Sequence, residues 1–170
     1  MRRLVVFTLL TVALAVPAAG LAGPTGSDDG TLSVRNGYGK VGLGGKNGLQ
    51  FDGSVVGRIA LHASIRVIDP FVNSGEGLQV WGYDERFDSG PLAVYTGDGL
   101  RFRASGGSYK LSVKGIGVNL SAVGYGTVTL DGAGNNPDIG FDGRFSINDA
   151  PYRSLPDYAR AFDIAAPAGQ

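Results

Sequence analysis

From Val41 to Val67 the chain reads VGLGGKNGLQFDGSVVGRIALHASIRV. Its odd positions include Val41, Leu43, Leu49, Phe51, Val55, Ile59, Leu61, Ala63, Ile65 and Val67. The even positions are mostly Gly, Lys, Gln, Asp, Ser, Arg and His. Apolar residues at every second position give an extended chain one dry face and one wet face, the mark of β-structure. Ile116, Val118, Leu120, Ala122, Val128 and Leu130 repeat the pattern on even positions. No window holds helical spacing over three turns. The nearest approach, Ser154 to Phe162, reads as one capped turn or as a closing strand carrying Tyr158, Phe162 and Ile164.

Gly106-Gly107 separates Leu100–Ser105 from Ser108–Val113. A two-residue glycine connection suits a tight hairpin, because type I′ turns need positive φ at both positions. That register pairs Ala104 with Tyr109, Phe102 with Leu111 and Leu100 with Val113, all on one face. It sets Arg103 against Lys110, a mild like-charge penalty. The fold expected is all-β: a Gly-rich antiparallel β-sandwich or small β-barrel of short strands. A short β-solenoid is the alternative, since two-residue hairpins would flip the parity that runs unbroken from Val41 to Val67. Bends or three-residue loops would preserve that parity.

A weak repeat relates Leu32–Gly45 to Leu120–Gly132 with one gap, sharing Leu-Ser, Gly-Tyr-Gly and Val-x-Leu-x-Gly. Glycine is abundant, at 29 of 170 residues, against roughly 12 at the usual ~7%. The pairs Gly37/Gly39, Gly115/Gly117 and Gly124/Gly126 leave one strand face bare, which allows tight coiling or close approach of another layer.

Residues 1–22 read as a cleaved export signal: Arg2 and Arg3, an apolar run from Leu4 to Val16, then Pro17 and small residues through Ala22. The run is too short for a membrane span, which needs about 20 residues. Exported protein should therefore have lost its signal at a cut between residues 19 and 23. An intact mass that retains Met1–Val16 would defeat this. Residues 23–30 read as a flexible leader, 31–165 as a single all-β domain and 166–170 as a disordered tail. The expected location is secreted or extracytoplasmic, in the periplasm or cell envelope, with no stable membrane insertion after cleavage.

The chain has 15 Lys+Arg and 15 Asp+Glu. Removal of Arg2 and Arg3 leaves 13 cations against 15 anions, unlike the strongly basic profile of nucleic-acid binders. Zero Cys excludes thiolate metal sites, cysteine nucleophiles and disulfides. Gly37–Gly42 matches GxGxxG, but strands follow where dinucleotide binding needs a helix. His62, the one histidine, lies on a polar face with no GxSxG partner, and a His-based zinc site needs several imidazoles. Asp84 and Glu85 are adjacent and point apart in a strand. Asp88 and Asp98 are loop candidates for a hydrolase.

Asp131, Asn135, Asp138 and Asp142 crowd one Gly-rich segment whose oxygen ligands suit calcium. Ordinary turns use the same residues, and that reading takes precedence, so no cofactor is required. Trp81, Tyr83 and Arg86 form the candidate binding platform. In a strand Trp81 and Tyr83 share a face: either the strand is central and covered on both sides, or the pair is an exposed platform of the kind that binds sugars, peptides or proteins. The function expected is an exported, non-enzymatic binding or structural module with a polysaccharide or envelope-protein partner. The rival is a secreted hydrolase acting on polysaccharide or cell wall through loop carboxylates.

Overall fold

The structure, a computed structural model, describes residues 29–44, 50–69, 77–132 and 143–165. Its strands are β1 (Gly30–Leu43), β2 (Phe51–Ile59), β3 (Leu61–Ile68), β4 (Gln79–Trp81), β5 (Glu85–Ser89), β6 (Leu92–Gly97), β7 (Leu100–Ala104), β8 (Ser108–Gly132), β9 (Arg144–Ile147), β10 (Arg153–Ser154) and β11 (Arg160–Ile164). In every pairing the partner's number falls as the strand's own rises, as in Leu32↔Ala122 and Val34↔Leu120, so neighbours run antiparallel. Stacked solenoid coils would run parallel. The fold is a β-sandwich-like, all-β arrangement, not closed into a barrel.

Two long strands fold the network over into two layers. The first has the order β10-β9-β1-β8-β2-β7-β4. In the second, β11 lies beside the last third of β8. Next come the second half of β1, the first third of β8, then β3, β6 and β5. Val41 accordingly pairs with Leu130 on one side and Val113 on the other. Both long strands change layer at irregular points. In β1 the inward parity flips between Val34 and Val41, around Asn36 at φ 49°. In β8 it flips between Val113 and Val118, around Gly117 at φ 69°. Asn119 ties these corners together: its Oδ1 accepts from the Asn36 N–H at 3.2 Å and its Nδ2 donates to the Gly117 carbonyl at 3.0 Å.

The alternation marks the core correctly. Val41, Leu43, Phe51, Val55, Ile59, Ala63, Ile65 and Val67 are all buried. Leu49 lies outside the described residues, and among those described Leu61 is the exception, exposed at the corner where β2 leaves the first layer and β3 enters the second. That bend, with His62 at φ 50°, carries the parity across without a hairpin. Phe145 of β9 and Phe162 of β11 meet between the layers, ring centroids 5.2 Å apart. β11 is the closing strand rather than the capped turn; it carries Phe162 and Ile164, while exposed Tyr158 lies ahead of it.

The Gly106-Gly107 hairpin requires correction. Leu100, Phe102, Ala104, Tyr109, Leu111 and Val113 are buried, and both glycines have positive φ. Yet β7 pairs with β2 and β4 in the first layer, while the start of β8 pairs with β3 in the second. The glycines carry the chain between layers. Arg103 neighbours Val56 and Gln79, and Lys110 neighbours Ile68, so the expected Arg103–Lys110 repulsion is absent.

The sequence repeat is symmetric in space. Ser33 and its counterpart Ser121 pair with each other, and so do Gly42 and its counterpart Thr129. One local two-fold axis through both layers relates the two copies. It carries β2 beside β8 (Val55↔Ala122) onto β9 beside β1 (Phe145↔Val34). It also carries the start of β8 (Val113↔Val41) onto β11 (Phe162↔Val128). The first copy comprises β1, β2, β7 and the start of β8. The second comprises the rest of β8, β9, β10 and β11. The segment β3–β6 is inserted in the first copy alone.

Tyr109 is buried and its hydroxyl donates to the Gly53 carbonyl at 3.2 Å. Burial, then Asp52 and Asp69, push its ionisation well above the usual phenol range. The native state thus holds a proton that the unfolded chain releases above about pH 10. The associated stability is complete below that pH and falls as pH climbs toward the native value. Tyr109→Phe should flatten this alkaline loss and cost about 1 kcal/mol at neutral pH. Urea unfolding at neutral and alkaline pH checks both.

Candidate functional site

The outer face of the first layer carries an open groove of about 850 Å³. Strand alternation decides what lines it. Where Leu100, Phe102 and Ala104 point inward, Arg101 and Arg103 point outward. Where Val55 and Ile59 point inward, Val56 and Arg58 point outward; Ser33 and Arg35 do the same beside Leu32 and Val34. Asn119 and Ser121 supply the outward face of β8, and Trp81 of β4 stands at one end. Register then gathers the cations. Trp81 lies opposite Arg101, Arg101 opposite Arg58, and Arg58 opposite Asn119. Arg35 follows on β1, itself opposite Arg144 of β9.

Behind the far end stands Tyr152. Its hydroxyl shares a 2.8 Å hydrogen bond with the Ser33 hydroxyl, and its ring lies 4.4 Å from the Arg35 guanidinium. The two-fold counterpart of the groove is covered: Ser146 is buried and donates to the Ala150 carbonyl at 2.5 Å. The segment after β9 thus covers one copy's face, and the inserted segment adds Trp81 to the face left open on the other.

The sequence-derived platform divides. Trp81 is 50% exposed and lines the groove. Gly82 at φ 77° breaks the alternation after it. Tyr83 packs edge-on against Tyr95 at 5.2 Å, and Arg86 sits 5.3 Å over the same ring and pairs with Asp88 at 2.8 Å. The hydrogen bond to Asp88, then the electrostatic interaction with the Tyr95 phenol, raise the Arg86 pKa, and burial raises that of Tyr95. This cluster belongs to the edge of the second layer.

Of the calcium candidates, Asp131 lies beside Lys40 in the ladder. Asn135, Asp138 and Asp142 lie outside the described residues. Among the described residues no three His, Cys, Asp or Glu side chains gather around a common point. His62 meets Asp98 through its backbone N–H, at 2.6 Å. The row of groove arginines as a whole was missed because its members are scattered from position 35 to 103. Their signal is their alternation with core residues, and it becomes a cluster only once strand register is known.

Comparison with protein-family models, with curated proteins and with solved structures returns no match to this chain.

Proposed function

We propose that the protein is an exported, non-enzymatic module that binds a polysaccharide or protein partner of the cell envelope through the outer face of its first layer. The observation that supports this is Trp81, the one tryptophan, half-exposed at the mouth of a groove lined by outward side chains of five strands. A large ring left in water has a solvation cost that burial against a ligand removes. A glycoside hydrolase that works through carboxylates needs two of them facing one cleft. Asp84, Asp88 and Asp98 do not line the groove; Asp88 is held by Arg86 and Asp98 by His62. The test is capture of the purified protein on cell-wall and glycan resins, beside Trp81→Ala. Loss of about tenfold or more in the variant is expected. Equal capture of both proteins would remove the groove from the reading.

A further inference from the structure

We infer that the ligand of the groove is a linear acidic polysaccharide, whose carboxylates or other anionic substituents are gripped by Arg35, Arg58, Arg101 and Arg103; this rests on the binding-module reading above. Arg58 and Arg101 are direct cross-strand partners, as are Arg35 and Arg144. Like charges placed directly opposite oppose folding. Among the described residues no ion pair engages any of these arginines. The chain as a whole has enough carboxylates to balance its cations, yet among the described residues none lines this groove. Local charge of one sign in a concave site focuses its field on an incoming anion. The guanidinium fork matches a carboxylate or phosphate with two parallel hydrogen bonds.

The shape and the remaining lining choose among polyanions. The groove floor is the face of a sheet, not its edge, so an acidic peptide finds no free backbone ladder to extend. Between the arginines stand Ser33, Ser121 and Asn119, which can hydrogen-bond sugar hydroxyls. Trp81 closes one end with a flat apolar ring, and Tyr152 buttresses Arg35 at the other. From Trp81 to Arg35 the groove crosses four inter-strand steps, about 19 Å at ~4.8 Å each, long enough for several sugar rings in a row.

The purified protein is titrated with polygalacturonate, neutral dextran, polyglutamate and anionic lipid vesicles. Binding to polygalacturonate alone is expected, weakening about tenfold or more as salt is raised from ~50 to ~300 mM. Arg58→Gln with Arg101→Gln should lose at least about tenfold in affinity while its Tm stays level or rises, since the like-charge pair is relieved. Arg58→Lys with Arg101→Lys keeps the charge without the fork and should fall between. A preference for polyglutamate or vesicles over polygalacturonate overturns the glycan. Equal binding of dextran, unchanged in the Gln variant, overturns the anionic ligand and leaves the binding module standing. No binding to any of the four, together with no capture on cell-wall resin, overturns both.

Discussion

Phe102→Ala is expected to cost about 3–5 kcal/mol, while Arg103→Ala, one residue on, costs less than about 0.5 kcal/mol. Phe102 is 1% exposed in the middle of the core, whereas Arg103 points into the groove. The phenyl ring is closely fitted: a Cβ added to Gly57 would come within 2.8 Å of its Cε1. Little can move to refill the cavity, so the cost belongs at the upper end of the range. For a chain of this size it amounts to a fall in Tm of roughly 10 °C or more. Urea unfolding of both variants measures it, and equal costs would place the wrong face of β7 inside. A double-mutant cycle on Arg103 and Lys110 separates the layer crossing from the hairpin. The hairpin puts these cations side by side. The observed pairings put them in different layers, so coupling near zero is expected.

Why the face of β7 was legible and its partner was not follows from what period two encodes. Alternation fixes which side chains are dry, and Leu100, Phe102, Leu111 and Val113 are dry under either connection. A Gly-Gly step tells only that the backbone turns with positive φ, and a crossing between layers needs that as much as a hairpin does. The run from Val41 to Val67 was readable for a related reason: the bend at Ala60–His62 preserves parity. The length of β8 was hidden, because Gly117 shifts parity within a single strand and resembles a break. The Leu-Ser, Gly-Tyr-Gly repeat was visible, but only the mutual pairing of Ser33 with Ser121 makes it symmetric.

At the candidate site, alternation left Trp81 either covered in a central strand or exposed as a platform, and the place of β4 at the end of the first layer decides for exposure. Its separation from Tyr83 turns on one glycine conformation at Gly82 that alternation cannot foresee. The arginine row is a property of register across five strands, and no single stretch of sequence carries it.

Gly124→Ala should be far more damaging than one methyl group suggests, at about 3 kcal/mol or more from overpacking and backbone strain together. Gly124 pairs with Gly53 where β8 leaves the first layer, and Asp52 beside them pairs with both Ser108 and Tyr125. A Cβ on Gly124 would lie 2.7 Å from the Gly53 Cα and 2.9 Å from the Phe51 ring. A Cβ on Gly53 would meet the Gly124 Cα at the same 2.7 Å. Backbone faces backbone, so no flexible side chain can give way, and the strands must part. The internal symmetry supplies two controls. Gly37, the counterpart of Gly124, would put its Cβ 2.9 Å from Leu155 Cδ1, the movable end of a side chain, so Gly37→Ala should cost roughly half as much. Gly42, whose counterpart is Thr129, has its nearest neighbour at 3.8 Å and no positive φ. Gly42→Ala should therefore be neutral or stabilising by up to about 1 kcal/mol, since the unfolded chain loses freedom while the native one loses nothing. Denaturant unfolding of the three variants should rank Gly124 as the costliest, then Gly37, then Gly42. A Gly42→Ala as harmful as Gly124→Ala would mean that Gly42 is crowded by its neighbours in the ladder, and the register of β1 on β8 would have to be redrawn.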